Sequence, residues 1–140
     1  MKEKMRMGME EFVFSGVKKM QNFKNLRVYE ESFRLAKDVF EFMEDKKMSF
    51  RAKEQLLASV SSIPANLSEL GAFESKAQMR QKLITCIGES NEAEFWLDLC
   101  HSLKVIPQRE HLKFMSSVVS IRSMLCKLKS SIEKGGDRKA

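Results

Sequence analysis

The chain is poor in the residues that interrupt helices: its 140 residues include only two prolines and six glycines. Proline removes a backbone donor and glycine costs backbone entropy, so their scarcity predicts long helices joined by short connections. Tyrosine and tryptophan occur once each, against ten phenylalanines and ten methionines. Methionine fills irregular gaps, so this mixture suits an adaptable helical core. The three cysteines, Cys86, Cys100 and Cys126, form no C-x-x-C pair. Their odd count excludes a fully paired disulfide framework and fits reduced thiols in the cytoplasm. No run approaches the roughly 20 apolar residues that cross a bilayer. The opening Met1-Lys2-Glu3-Lys4-Met5-Arg6 also lacks the apolar core of a secretion signal. The expected address is cytoplasmic, away from membranes.

Histidine is equally scarce, with only His101 and His111. Glu89, Glu92, Glu94 and Asp98 crowd one segment, and paired carboxylates on facing helices can build a di-metal centre. That chemistry needs histidines three residues from the glutamates, and neither histidine stands so. Cys100 and His101 are adjacent, and neighbouring helical side chains diverge too far to share one metal. The acidic run therefore reads as a solvated or salt-bridged face, with no metal and no cofactor. A glycine-rich phosphate loop and a nucleophile–base motif are also missing, so no enzyme is expected. Trp96, beside Phe95, reads as packing or a subunit contact rather than a base-stacking platform.

What the chain does have is apolar residues at alternating spacings of four and three. Leu56, Val60, Ile63, Leu67 and Leu70 form one such seam, and it keeps register across Pro64. A proline inside a helix leaves the carbonyl four residues back, that of Val60, without its donor and costs about 3 kcal/mol. The short polar side chains of Ser61, Ser62, Asn66 and Ser68 stand ready to donate to freed backbone groups. The alternative, that Pro64 opens a separate helix, would break a seam that the sequence keeps continuous. The reading is one helix kinked at Pro64.

Three more seams accompany it: Tyr29, Phe33, Ala36, Phe40 and Met43; Met79, Leu83, Cys86, Ser90, Ala93, Leu97 and Cys100; and Phe114, Val118, Ile121, Leu125, Leu128 and Ile132. Leu35, Val39 and Phe42 form a second stripe on the first helix, and Met115, Val119 and Cys126 one on the fourth. These second stripes exceed what one bundle needs and predict self-association. Ser49 and the Ser75–Gln78 capping pattern start the second and third helices, Pro107 starts the fourth, and the Gly135-Gly136 pair stops it. The expected fold is all-α, an antiparallel up-down-up-down four-helix bundle of left-handed packing. Its expected helices span about 26–45, 50–70, 75–104 and 107–133 within a bundle of residues 22–134. Residues 1–21 read as an N-terminal extension, either a short amphipathic helix or an unpacked lead-in, and 135–140 as a frayed, disordered tail.

The segment Ile63-Pro64-Ala65-Asn66-Leu67-Ser68-Glu69 resembles the "SIPSNIAEG" signature of the four-helix-bundle proteins encoded in 23S rRNA intervening sequences. Asn22 to Tyr29 looks like that family's opening "NFxxLxVW", and Ser75 to Leu97 resembles its third helix. Ile63, Pro64, Asn66 and Glu69 are the positions that carry the structural motif. The resemblance implies a bundle that is often a homopentamer, with no enzymatic activity. It also implies kinship with a retroelement accessory protein that binds nucleic acid and a reverse transcriptase. The sequence departs from the family where Leu57-Ala58-Ser59 and Leu70-Gly71-Ala72-Phe73 stand in place of frequent arginines.

The net charge of +6 is concentrated at the two ends of the chain. Residues 1–28 carry seven basic and three acidic groups, and residues 127–140 five and two. The candidate phosphate-contacting residues are therefore Lys2, Lys4, Arg6, Lys18, Lys19, Lys24 and Arg27, with Lys127, Lys129, Lys134, Arg138 and Lys139. The expected function is a non-catalytic, oligomeric accessory protein associated with RNA or DNA. The alternative is a protein-interaction scaffold whose charged tails are merely solvated.

Overall fold

The computed structural model describes residues 23–72 and 75–137. Among them are four α-helices and no strand: α1 (Arg27–Met43), α2 (Phe50–Leu67), α3 (Lys76–Ser102) and α4 (Gln108–Asp137). Two starts are capped as their sequences suggest. The Ser49 hydroxyl accepts from the Ala52 amide at 3.4 Å, and the Ser75 hydroxyl from the Gln78 amide at 3.1 Å. The end of α3 is made without glycine. Lys104 takes the left-handed conformation at φ 65°, which turns the chain so that the Val105 amide reaches the Cys100 carbonyl at 2.9 Å.

Each helix packs on the next, and α1 also packs on α4. The contacts between α2 and α3 run in opposite senses along the two elements. Glu69 just past α2 meets Lys82, the Ile63 carbonyl meets Cys86, and Met48 just before α2 meets Cys100. Between α3 and α4 the ladder is Arg80–Glu133, Asn91–Arg122 and Asp98–His111. Hydrophobic surface holds this arrangement together: Leu56, Val60, Ile63, Leu67, Leu70, Leu83, Leu97 and Ile121 have no exposed area. The seams expected on α2, α3 and α4 are buried throughout.

On α1 the expected seam is only partly the core. Ala36 and Met43 are buried as expected and Tyr29 packs against the core, but the buried face is completed by Val28, Ser32, Leu35 and Val39, two of them from the stripe expected outside. Phe33 and Phe40, expected inside, are 53% and 44% exposed. Both stripes have helical spacing, and Ser32 earns its buried place by returning its hydroxyl to the Tyr29 carbonyl at 3.1 Å. Spacing alone does not say which of two apolar stripes faces inward.

Pro64 lies inside one continuous helix, buried, with helical backbone on both sides. A separate helix beginning at Pro64 is thereby excluded. The helix ends at Leu67, three residues earlier than expected, and passes through a Ser68–Glu69 turn into a 3₁₀ turn at Leu70–Ala72. Asn66 Nδ2 donates to the Ser62 carbonyl and hydroxyl at 2.7 and 2.8 Å. Ser61 donates to the Leu57 carbonyl at 2.8 Å, and Ser68 to that of Ala65 at 2.6 Å. These bonds brace the turns on either side of Pro64 rather than replacing the donor lost to Val60, because each short side chain reaches only its own preceding turn. At the other end of the chain, α4 runs through Gly135 and Gly136 to Asp137, past the expected stop. Buried Ile132 and the Lys129–Glu133 pair at 3.1 Å anchor the turn before the glycines. A glycine in a final turn also leaves few hydrogen bonds at stake.

Asn66→Ala is expected to destabilise the protein by about 1 kcal/mol, since it removes two hydrogen bonds from a half-buried site. Lys104→Gly should stabilise it by about 0.5–1 kcal/mol by relieving the left-handed backbone. Denaturant midpoints read both, and a shift in the opposite direction for either would contradict the local account.

Candidate nucleic-acid interface

Five of the candidate basic residues fall within the described part of the chain. Lys24, Arg27, Lys127 and Lys134 are exposed, and Lys129 is half-buried. Lys2, Lys4, Arg6, Lys18, Lys19, Arg138 and Lys139 lie outside the described residues. Phe42, near the end of α1, packs edge-on against Phe114, near the start of α4, with ring centroids 5.9 Å apart. At 1.5 Å per residue, Arg27 lies about 22 Å from that contact along α1, and Leu128 about 21 Å from it along α4. Lys24 and Arg27 stand at the start of α1, which packs on α4, and Lys127 and Lys129 in the second half of α4.

Sequence reasoning missed two residues here. Arg80 contacts Glu133, which brings the start of α3 to the end of α4, and exposed Lys76 sits one turn before Arg80. The order of the helices held the signal: where successive helices reverse, odd-numbered starts and even-numbered ends share one end. Some of this charge is already committed. Arg27 pairs with Glu31 at 3.3 Å, and Lys82 with Glu69 of the structural motif at 2.9 Å. Hydrogen bonds from Arg80 and then Lys129 hold the Glu133 carboxyl below its ordinary range. Lys24, Lys76, Lys127 and Lys134 extend the patch with exposed ammonium groups.

The acidic segment of α3 is engaged in structure. Arg122 holds Glu94 and Asn91, each at 2.8 Å, and Asp98 meets His111 Nε2 at 2.8 Å. Burial, with Glu92 nearby, pushes the Glu89 carboxyl up. Trp96 is half-buried, donates its indole N–H to Glu92 at 3.2 Å and meets Phe95 edge-on. The two imidazoles stack, with centroids 4.2 Å apart. The Ile106 carbonyl lies 2.9 Å from His101 Nδ1, and as an acceptor it places the proton on that nitrogen. The pair fastens the α3–α4 turn. Among the described residues, no three His, Cys, Asp or Glu side chains are placed to hold a metal ion.

The sequence model of the 23S rRNA-intervening sequence proteins matches residues 24–127. The chain belongs to that family. A solved structure similar to it is a protein of unknown function from the S23 ribosomal protein family of Bacteroides thetaiotaomicron. It is 25% identical, with a TM-score of 0.69 over 74% of this chain and 95% of that one. No curated protein matches the chain. The family match takes in the Pro64 motif, the contacts between α2 and α3, and Lys24, Arg27, Lys76, Arg80 and Lys127. Lys129 and Lys134 lie past its end.

The cysteines separate cleanly by environment. Burial pushes the Cys86 thiol up to about 12 and raises that of Cys100, while Cys126 is exposed on α4. Only thiolates react readily with alkylating agents. Native protein at pH 8 should therefore lose one thiol quickly and two at the slow rate of unfolding, with Cys126→Ser abolishing the fast phase. Fast labelling of two or three thiols would contradict the buried placement.

Proposed function

We propose that this member of the 23S rRNA-intervening sequence family is a non-catalytic, oligomeric RNA- or DNA-associated protein acting in the cytoplasm. In this reading it is an antiparallel up-down-up-down bundle, left-handed and kinked at Pro64. The reversed contact ladders support the topology, and the alternating four-and-three seams support the handedness. The observation that carries the function is the gathering of Lys24, Arg27, Lys76, Arg80, Lys127 and Lys134 at one end from three helices. Phosphates would be held there by charge, without base reading, because this patch lacks a side-chain array fitted to a groove.

Binding to a mixed-sequence duplex should then fall steeply with salt. With about five phosphates engaged, affinity drops roughly 500-fold between 50 and 200 mM. Lys24, Lys76, Lys127 and Lys134 changed together to Glu should abolish binding even at low salt while preserving the helical content. Salt-independent binding, or binding that survives the four changes, would place the contact elsewhere. No binding at any salt would favour the scaffold.

The scaffold reading has its own support in Phe33 and Phe40 on α1 and Phe95, Leu112 and Val119 on α3 and α4, all exposed. Apolar surface of this extent on three of the four helices also supports self-association. Sedimentation at micromolar concentration should give a mass above the 16.2 kDa of one chain. A monomer would refute the oligomer and leave the binding experiment unaffected.

A further inference from the structure

At the basic end, one carboxylate stands between two of the cations. Glu133 Oε2 accepts from Arg80 Nε on α3 and lies 3.1 Å from Lys129 Nζ on α4. Among the described residues, Glu133 is the ion-pair partner of both. The side chains of Arg80, Lys129 and Glu133 are 47%, 26% and 39% exposed, so a ligand can reach all three from solvent. The family match ends at residue 127, so Lys129 and Glu133 lie beyond it while Arg80 lies within.

Helix energetics disfavour an acid at this position. Glu133 stands about one turn before the end of α4 at Asp137, where the helix dipole favours cations. The order Lys129 then Glu133 is also the weaker of the two i, i+4 arrangements. Ion pairs as exposed as these contribute little to stability. What the carboxylate does is neutralise: it sets one negative charge, shared over two oxygens, where Arg80 and Lys129 converge. A phosphodiester carries the same charge over two oxygens and accepts from guanidinium and ammonium groups in the same way. Hydrogen bonds from Arg80 and then Lys129 hold the Glu133 carboxyl below the ordinary glutamate value of about 4.3, so it stays an anion at neutral pH. A competing anion, not a proton, is what can displace it there.

We propose that Arg80 and Lys129 form a phosphodiester subsite of the basic end, occupied by the Glu133 carboxylate until a nucleic-acid phosphate displaces it. The inference rests on the nucleic-acid reading of that end and adds which contact is held back. A phosphate entering this subsite must first break the Glu133 contacts, so the wild-type chain binds more weakly than its cations alone would allow. Glutamine keeps the shape of glutamate without its charge, and so releases both cations.

Fluorescence anisotropy with a mixed-sequence DNA duplex, from 50 to 200 mM salt, tests this on the full chain. Glu133→Gln should bind about tenfold more tightly than wild type at the low-salt end, the gain of one charged hydrogen bond. Its log affinity should also fall more steeply with log salt, by about 0.9 for one further phosphate engaged. Glu133→Ala, with alanine's high helix propensity, should reproduce both gains, and circular dichroism should show unchanged helical content. Both gains should vanish when Glu133→Gln is made in a chain already carrying Arg80→Gln and Lys129→Gln. A gain that persists there would reflect net charge alone and overturn the proposal. Equal affinity and slope for wild type and Glu133→Gln would overturn it and leave the nucleic-acid reading standing. Duplex binding by Glu133→Gln but not by wild type would support it. Absence of binding by both at every salt would overturn it together with that reading.

Discussion

Burial of the α2 seam is the interaction on which the other features of this molecule depend. Leu56, Val60, Ile63, Leu67 and Leu70 are wholly removed from water, and α2 touches both α1 and α3. Each such side chain contributes about 1.5–3 kcal/mol when buried, so five of them outweigh the roughly 3 kcal/mol that an interior proline costs. Pro64 is itself buried, which returns part of that cost as apolar contact. Its position also shapes the end of the helix, which closes one turn later with the Ser68 amide on the Pro64 carbonyl at 3.0 Å. The turn that follows presents Glu69 to Lys82 and so sets the level at which α3 begins.

From that level the rest of the register follows. With Glu69 opposite Lys82 and Met48 opposite Cys100, α3 is held at both ends of α2. The Arg122 and His111 contacts then hold α4 against the acidic face of α3. These ion pairs are partly exposed and individually worth little. Their effect is on register: a one-turn slip between α3 and α4 would move Arg122 away from both Asn91 and Glu94. Glu94 and Asp98, two members of the acidic run, thus serve alignment between α3 and α4.

The sequence made most of the fold legible because three of its four seams are unambiguous. On α2, α3 and α4 the main seam is wholly buried, and of the second stripe on α4 Val119 and Cys126 are exposed. On α1 two stripes share the helical period, and the core takes Ala36 and Met43 from one and Leu35 and Val39 from the other, leaving Phe33 and Phe40 outside. Hydrophobic spacing records that a face is apolar, not whether its partner is the core or another surface. The helix end at Leu67 was hidden for a related reason, since Leu70 continues the seam from a 3₁₀ turn and remains fully buried. The basic end was only half legible: charge counting along the chain found Lys24, Arg27 and Lys127 but passed over Lys76 and Arg80. Those two join the patch through folding, not through sequence proximity.

The separation of an apolar wall from a basic end has a physical consequence for any partner. Attraction between Lys24, Lys76, Lys127 or Lys134 and a polyanion acts through water and is screened within about 10 Å at 0.1 M salt. Contact with Phe33 and Phe40 is driven by the removal of apolar surface from water, which excluded salts such as sulfate strengthen. The two surfaces therefore respond to such salts in opposite directions. One helix takes part in both, because α1 begins beside Lys24 and Arg27 and carries Phe33 and Phe40 along its outer face.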